Sequence, residues 1–202
     1  MNQLPCVFLV DDQPAVLKAM GRLFASEGIT AEVFDSARQF LDSGNAGRAG
    51  CLVLDLSMPG MTGLALQQAL VAQACLLPVI FLTGHGDIDS GVQAMKSGAV
   101  DFLTKPVDAG RLLQAVHGAF ARNASGRIAH AELLELRQRL ASLTAREREV
   151  LDLVVEGLLN KQIADQLGTV EKTVKVHRAR VMGKMKVRSV TALVRLADRL
   201  RS

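Results

Sequence analysis

Short unbroken apolar runs, each closed by a polar or charged side chain, constrain this chain more than any other feature. Cys6-Val7-Phe8-Leu9-Val10 ends in Asp11-Asp12, Cys51-Leu52-Val53-Leu54 in Asp55, and Val79-Ile80-Phe81-Leu82 in Thr83. Runs of this length, without polar alternation and rich in β-branched residues, suit strands buried on both faces of a parallel sheet. Ile29 to Phe34 alternates more and suits an edge strand, and Val100 to Thr104 is a fifth candidate, followed by Lys105. Between them lie segments of helical period. Val16, Met20, Leu23 and Phe24 form one face, and Leu64, Leu66, Leu70 and Val71 another. Asp87 or Asp89 is a candidate cap for a helix through Lys96 with Gly98 as its stop, and Asp108 for one through Leu112, Leu113 and Val116. Alternating strands and helices predict a doubly wound, five-stranded parallel α/β domain over residues 1–121.

The pattern changes over residues 122–142. Asn123-Ala124-Ser125-Gly126 reads as a weak helix breaker, and Leu133, Leu136 and Leu140 then share one face of a polar helix. This stretch is a helical linker, either continuing the preceding helix or forming a short coiled coil between two chains. Residues 143–202 carry no strand pattern and read as a four-helix, all-α domain. Thr144-Ala145-Arg146-Glu147 has the form of a capping box, and Val150, Leu151, Val154 and Val155 make the apolar face behind it. Asn160 is a candidate cap for a short helix ending near Gly168. Thr169 or Val170 opens a third helix through Met185, and Ser189 caps a fourth.

Charge divides at the same place. Residues 1–122 hold 11 acidic and 8 basic side chains, and residues 123–202 hold 9 acidic and 16 basic. A mildly acidic half and a basic half imply different partners, the basic one facing a polyanion.

In an open parallel sheet, sites form beyond the carboxyl ends of the strands. The residues there are Asp11 and Asp12, Asp55, Thr83 and Lys105. Three close carboxylates repel one another unless a cation joins them, and oxygen-only ligands favour Mg²⁺, with Mn²⁺ as an alternative. One carboxylate is then free to attack a phosphoryl group, with Lys105 and the metal neutralising its oxygens and Thr83 donating a hydrogen bond. The ordered set Asp-Asp, Asp-x-x-Met-Pro-Gly, Thr-Gly and Lys-Pro is far more specific than its members.

This set resembles the receiver domain of two-component response regulators, over residues 5 to 121. The resemblance implies a flavodoxin-like strand order 2-1-3-4-5 and makes Asp55 the phosphoacceptor. Asp12, Asp55 and the Ser57 carbonyl would bind Mg²⁺, with Asp11 acting largely through water. Thr83 and Lys105 would contact the phosphoryl group, the Lys105-Pro106 bond would be cis, and Thr83 and Phe102 would act as switch residues. Gly84 leaves the pocket entrance open, and Ser57 and His85 stand where the family modulates dephosphorylation.

Asn160 to Arg178 reads as helix, glycine-containing turn, helix, with Ile163, Leu167, Val174 and Val181 packing inward around a small Ala164. Residues 160–189 hold eight Lys or Arg against two acids. A helix of this kind can lie in the major groove of B-DNA. Lys172, Lys175, Val176 and Ala179 are the base-facing candidates. Lys161, Thr173, His177, Arg178 and Arg180 are the phosphate-facing ones. Residues 143–200 resemble the LuxR-type helix-turn-helix, through Leu143 to Leu151, Asn160 to Ala164 and Thr173 to His177. Ala179 stands where some relatives place a base-contacting lysine. A receiver followed by this domain is the arrangement of the NarL/FixJ family.

That resemblance implies a transcriptional regulator. A sensor histidine kinase would phosphorylate it on Asp55. The phosphorylated chain would pair into a homodimer through the surface near residues 87–104 and the last helix, bind double-stranded promoter DNA, and meet RNA polymerase. The only catalysis expected is Mg²⁺-dependent self-phosphorylation and dephosphorylation. A metal-dependent aspartyl-phosphate phosphatase would need a general-acid Asp two residues past the nucleophile, where Ser57 stands. The other rivals are a receiver controlled by protein contact alone and an adaptor whose basic half meets RNA or protein.

The chain has no Tyr or Trp, which weighs against stacking platforms for single-stranded nucleic acid. Cys6, Cys51 and Cys75 form no CxxC and read as free thiols, and the four histidines are too scattered for a zinc site. With no signal peptide and no apolar stretch of spanning length, the expectation is a cytoplasmic protein without membrane contact.

Overall fold

The computed structural model describes residues 4–84 and 88–201. The chain divides into two compact units, residues 1–127 and 128–202.

In the first unit, the described strands are β1 (Cys6–Val10), β2 (Ala31–Phe34), β3 (Gly50–Asp55), β4 (Val79–Thr83) and β5 (Asp101–Thr104). All pairings are parallel, in the order β2-β1-β3-β4-β5. The helices are α1 (Pro14–Ser26), α2 (Ala37–Asp42), α3 (Gly63–Ala72), α4 (Ile88–Lys96) and α5 (Ala109–Ala141).

The unbroken apolar runs follow from burial on both faces. Phe8, Val10, Leu52, Leu54 and Phe81 point to one side, where they meet Phe40 of α2, Leu66 and Leu70 of α3, and Ala94 of α4. Val7, Leu9, Val53, Ile80, Leu82 and Leu103 point to the other, against Phe24 of α1 and Leu112 and Val116 of α5. Alternate residues thus serve different cores, and no position is left for a polar side chain. A short helix that the periodicity does not locate, α2, starts where the Ser36 hydroxyl accepts the Gln39 N–H.

The described helices of the second unit, beyond the tail of α5, are α6 (Ala145–Val155), α7 (Asn160–Gln166), α8 (Glu171–Lys184) and α9 (Val190–Arg201). Val150, Leu151, Val154, Ile163, Val174, Val181, Met185 and Leu193 make its core, with Leu136 from α5. The Thr144–Glu147 capping box is present, and Ser189 Oγ accepts the Ala192 N–H at the start of α9.

Three expectations are corrected. Asn123 to Gly126 does not break the helix: α5 runs without interruption for 33 residues. Asn123 is buried, its Oδ1 accepting from Gly50 N at 3.1 Å and its Nδ2 donating to Leu76 O at 2.7 Å. These tertiary bonds outweigh the weak helix propensity of an asparagine, a few tenths of a kcal/mol to about 0.7 kcal/mol. Asp89 lies inside the first turn of α4 and is not its cap, while Asp87 falls outside the described residues. Asn160 is the first residue of α7, not its cap, because its side chain is turned to accept from Arg178 at 2.8 Å. The cap position is Leu159, whose N–H donates to Gln162 Oε1.

Candidate functional site

Parallel pairing carries β1, β3, β4 and β5 to a common carboxyl edge, so the polar residue ending each run arrives at one rim. Carboxylate oxygens of Asp11, Asp12 and Asp55 all lie within 4.8 Å of one another. Lys105 Nζ reaches Asp11 Oδ2 at 2.5 Å and Asp55 Oδ1 at 3.2 Å. Asp11 Oδ1 accepts from Gln13 N at 2.9 Å, while Asp12 Oδ1 is buried without a hydrogen-bond partner. Thr83 is buried at the end of β4, where its carbonyl accepts from Lys105 N at 2.7 Å. The Lys105-Pro106 peptide is cis.

Asp55 is 4% exposed, and burial pushes its carboxyl above the usual range. The Lys105 ammonium opposes that rise and the Asp11 charge adds to it. The donor set fits a hard divalent cation: three carboxylates, no nitrogen or sulfur among them, and a buried oxygen of Asp12 with no other partner.

The structure brings Asp11, Asp12, Asp55 and Lys105 together, with Thr83 on the neighbouring strand end. Ser57 is exposed two residues beyond Asp55. A Cβ on Gly84 would meet nothing within 4 Å, and His85 falls outside the described residues. Phe102 is half-buried, its ring centroid 6.4 Å from that of Phe81. A residue that spacing does not single out also shapes the rim. At Gly63 a Cβ would collide with the Asp55 carbonyl, and only glycine lets α3 start there, with Gly63 N donating to Leu56 O at 3.0 Å.

In the second unit, α7, the turn at Gly168 and α8 form the helix-turn-helix. The left-handed φ of 61° at Gly168 makes the turn, and Arg146 donates to Leu167 O at the end of α7. Lys161, Lys172, Lys175, Val176, Ala179 and Arg180 are exposed, while Thr173, His177 and Arg178 are half-buried. One of the expected phosphate-facing residues, Arg178, already has a side-chain partner within the unit. Arg178 ties α8 to α7 through Asn160, and His177 Nδ1 is buried without a partner. Lys175 pairs with Glu171 one turn earlier, at 2.9 Å.

An aspartate cluster bridged by a lysine at the carboxyl edge of a 2-1-3-4-5 sheet defines a receiver-type domain, and the second unit defines a helix-turn-helix. Residues 7–117 match the response regulator receiver domain family, and residues 141–197 match the LuxR family of bacterial regulatory proteins. The chain belongs to the NarL/FixJ family of two-component response regulators, in which a receiver is joined to a LuxR-type DNA-binding domain. It is a two-component transcriptional regulator, and neither matched family is one of classical enzymes.

Response regulator protein TodT of Pseudomonas putida is 44% identical over 195 residues, covering 96% of this chain and 86% of that protein. Transcriptional regulatory protein FixJ of Azorhizobium caulinodans is 43% identical over 191 residues, covering 95% of this chain and 90% of that one. Among solved structures, response regulator StyR is similar at 45% identity with a TM-score of 0.85, over 98% of this chain and 100% of that one. Full-length FixJ from B. japonicum is similar at 38% identity with a TM-score of 0.60, over 98% and 97%. No described helix is long and apolar enough to cross a membrane.

Proposed function

We propose that Asp55 is the phosphoacceptor of this regulator and that its phosphorylation controls how the second unit meets promoter DNA. One observation carries the reading: Lys105 Nζ bridges Asp11 and Asp55 inside a cluster of three carboxylates. An ammonium held there can shift from the carboxylates to the oxygens of an arriving phosphoryl group. Asp55 then attacks phosphorus, the bond to the leaving group of the phosphodonor breaks, and an acyl phosphate remains on Asp55. Mg²⁺, or Mn²⁺ in its place, would be held by Asp11, Asp12, Asp55 and the Ser57 carbonyl and would supply charge neutralisation at the phosphoryl oxygens. Lys105 neutralises a further part of that charge, and the Thr83 hydroxyl donates to one oxygen.

The phosphoryl group adds about −1.5 to −2 charge where a buried carboxylate stood. Thr83 and Phe102 follow it, and the surface formed by α4 and β5 becomes a homodimer contact. The dimer presents two α8 helices to half-sites about one helical turn apart, or a multiple of it. Lys172, Lys175, Val176 and Ala179 read bases, with Lys161, Thr173, His177, Arg178 and Arg180 along the backbone. We assign the receiver to residues 1–121, the linker to 122–142 and the DNA-binding domain to 143–202. A cognate sensor histidine kinase supplies the phosphoryl group, RNA polymerase is the partner at the promoter, and the protein works in the cytoplasm.

Asp55→Asn tests the assignment. A small phosphodonor with Mg²⁺ labels the native protein and leaves the variant unlabelled. Undiminished labelling of the variant would refute it.

A further inference from the structure

The turn between α7 and α8 sets where the recognition helix begins. Gly168 makes that turn with its left-handed φ. At the cap position of α8 stands Val170, which gives no side-chain hydrogen bond and is 64% exposed. Ser, Thr, Asp or Asn there would offer an oxygen to a first-turn N–H, and valine has none. Helix α7 has seven residues, too few to hold its shape without tertiary support. The carbonyls at its end, like those of any helix, have no intrahelical partner.

Arg146, in the first turn of α6, reaches this turn from outside the α7–α8 pair. Its Nη2 donates to Leu167 O at 2.5 Å, and its Nη1 donates to Glu149 Oε2 at 2.7 Å. A guanidinium presents its donors in a rigid plane, so a carboxylate on one nitrogen orients the other. By charge Arg146 would suit a phosphate. Its bonds commit it instead to Glu149 and to the end of α7.

The consequence falls on α8. Its body is fixed by Val174 and Val181, both buried in the core, and its end by the Lys184–Glu147 pair. Its first turn precedes these anchors and follows directly from residues 167–170. N-terminal residues of a recognition helix are the ones that reach base edges, and Lys172 stands in that turn.

We infer that Arg146 is a positioning residue for sequence recognition. By holding the Leu167 carbonyl it fixes the α7–α8 turn, and with it the start of α8, without itself touching DNA. The inference rests on α7 and α8 being the DNA-reading element.

Arg146→Met keeps the side-chain length and removes the donors. Binding is measured with the full-length protein, treated with a small phosphodonor and Mg²⁺. One duplex is enriched from random-sequence DNA by the native protein, and the other is a scrambled duplex of the same composition. Amide exchange without DNA is read at Gly168 and Thr169, whose N–H groups donate to the carbonyls of Asp165 and Ala164. In the variant, exchange at these two positions should be about tenfold faster, the effect of losing one hydrogen bond from a half-buried charged donor. Affinity for the enriched duplex should fall about fivefold, the lower end of what one base contact contributes. Affinity for the scrambled duplex and the slope of log affinity against log salt should not change.

A direct phosphate contact would weaken both duplexes and reduce the slope by about 0.9. A loss of folded protein would weaken both alike and leave their ratio as it was. Either result overturns the inference, as does unchanged exchange at Gly168 and Thr169. Gly168→Ala strains the same turn without touching Arg146 and should lower the same ratio. The two substitutions together should lower it by less than the sum of their separate effects, because both act through one turn, and full additivity also overturns the inference. A native protein that enriches no sequence overturns the reading of α7 and α8 as the DNA reader, and this inference with it. Enrichment by the native protein together with any contrary variant result overturns only the role of Arg146.

Discussion

Removing a carboxylate from the pocket should make the metal-free protein more stable. Asp12 is the one to remove, because Lys105 engages Asp11 and Asp55 and the buried Asp12 Oδ1 has no partner. Two like charges at the 4.8 Å limit of the cluster repel by about 3.5 kcal/mol at an effective dielectric near 20. Asp12 faces two such neighbours, and the nearby ammonium cancels roughly one of them. Asp12 is also half-exposed, so water screens what remains. Asp12→Asn, which keeps the shape and removes the charge, should therefore stabilise the first unit by about 1–3 kcal/mol in chelator. With a urea slope of roughly 2 kcal/mol/M, the midpoint rises by about 0.5–1.5 M. Mg²⁺ should narrow the gap or reverse it. The native cluster gains about 2.7 kcal/mol from a cation at a hundredfold excess over its dissociation constant, and the variant forgoes most of that gain. Urea unfolding with and without Mg²⁺ measures both effects. A variant less stable than the native protein in chelator, or one that gains as much from Mg²⁺, would refute the reasoning. The pocket would then not be a site where mutual repulsion is retained for the sake of a metal.

Leu136→Ala should cost the second unit about 2–5 kcal/mol, since Leu136 is 4% exposed in its core, and unfolding of the first unit should not change. Glu147, buried at the start of α6, has its carboxyl held at about 2, first by Lys184 at 2.6 Å and then by the Thr144 N–H. The folded value lies below the ordinary 4.5, so this stabilisation is complete above that pH and is lost as pH falls towards 2. Lys184→Met should move acid unfolding of the second unit to higher pH in a circular-dichroism titration, and an unchanged midpoint would deny the pair its role. Lys161→Ala or Lys172→Ala should weaken DNA binding and reduce the slope of log affinity against log salt by about 0.9 for each phosphate no longer neutralised. A slope unmoved by both would place the DNA elsewhere.

The thiols and the α5 tail show how differently local and distant determinants behave. Three cysteines in apolar runs read as free thiols, and all three are free, with burial pushing the Cys51 thiol up to about 12. That conclusion needs only the apolar neighbours of each cysteine. The stretch Asn123 to Gly126 has the look of a breaker because propensity is local, whereas the partners of Asn123 lie 73 and 47 residues away. Arg178 suits a phosphate by its charge, and only the fold shows Asn160 at its guanidinium. Gln67 and Gly63 carry no pattern at all, since a buried amide and a close approach are defined by what comes to meet them.

By itself the sequence determined the two classes of domain, the five strands, the residues at their carboxyl ends and the inward face of the helix-turn-helix. Burial imposes a period on a single segment, and parallel pairing carries every strand end to one rim without further information. Only the tertiary structure decided that Lys105 bridges two carboxylates, that Asp12 keeps an unpartnered oxygen, that α5 continues to Ala141 and that the buried amide of Gln67 in α3 donates to the carbonyls of Ala94 and Ser97. Each of these is a choice of partner between distant segments, made by packing geometry, and periodicity along one segment carries no record of it.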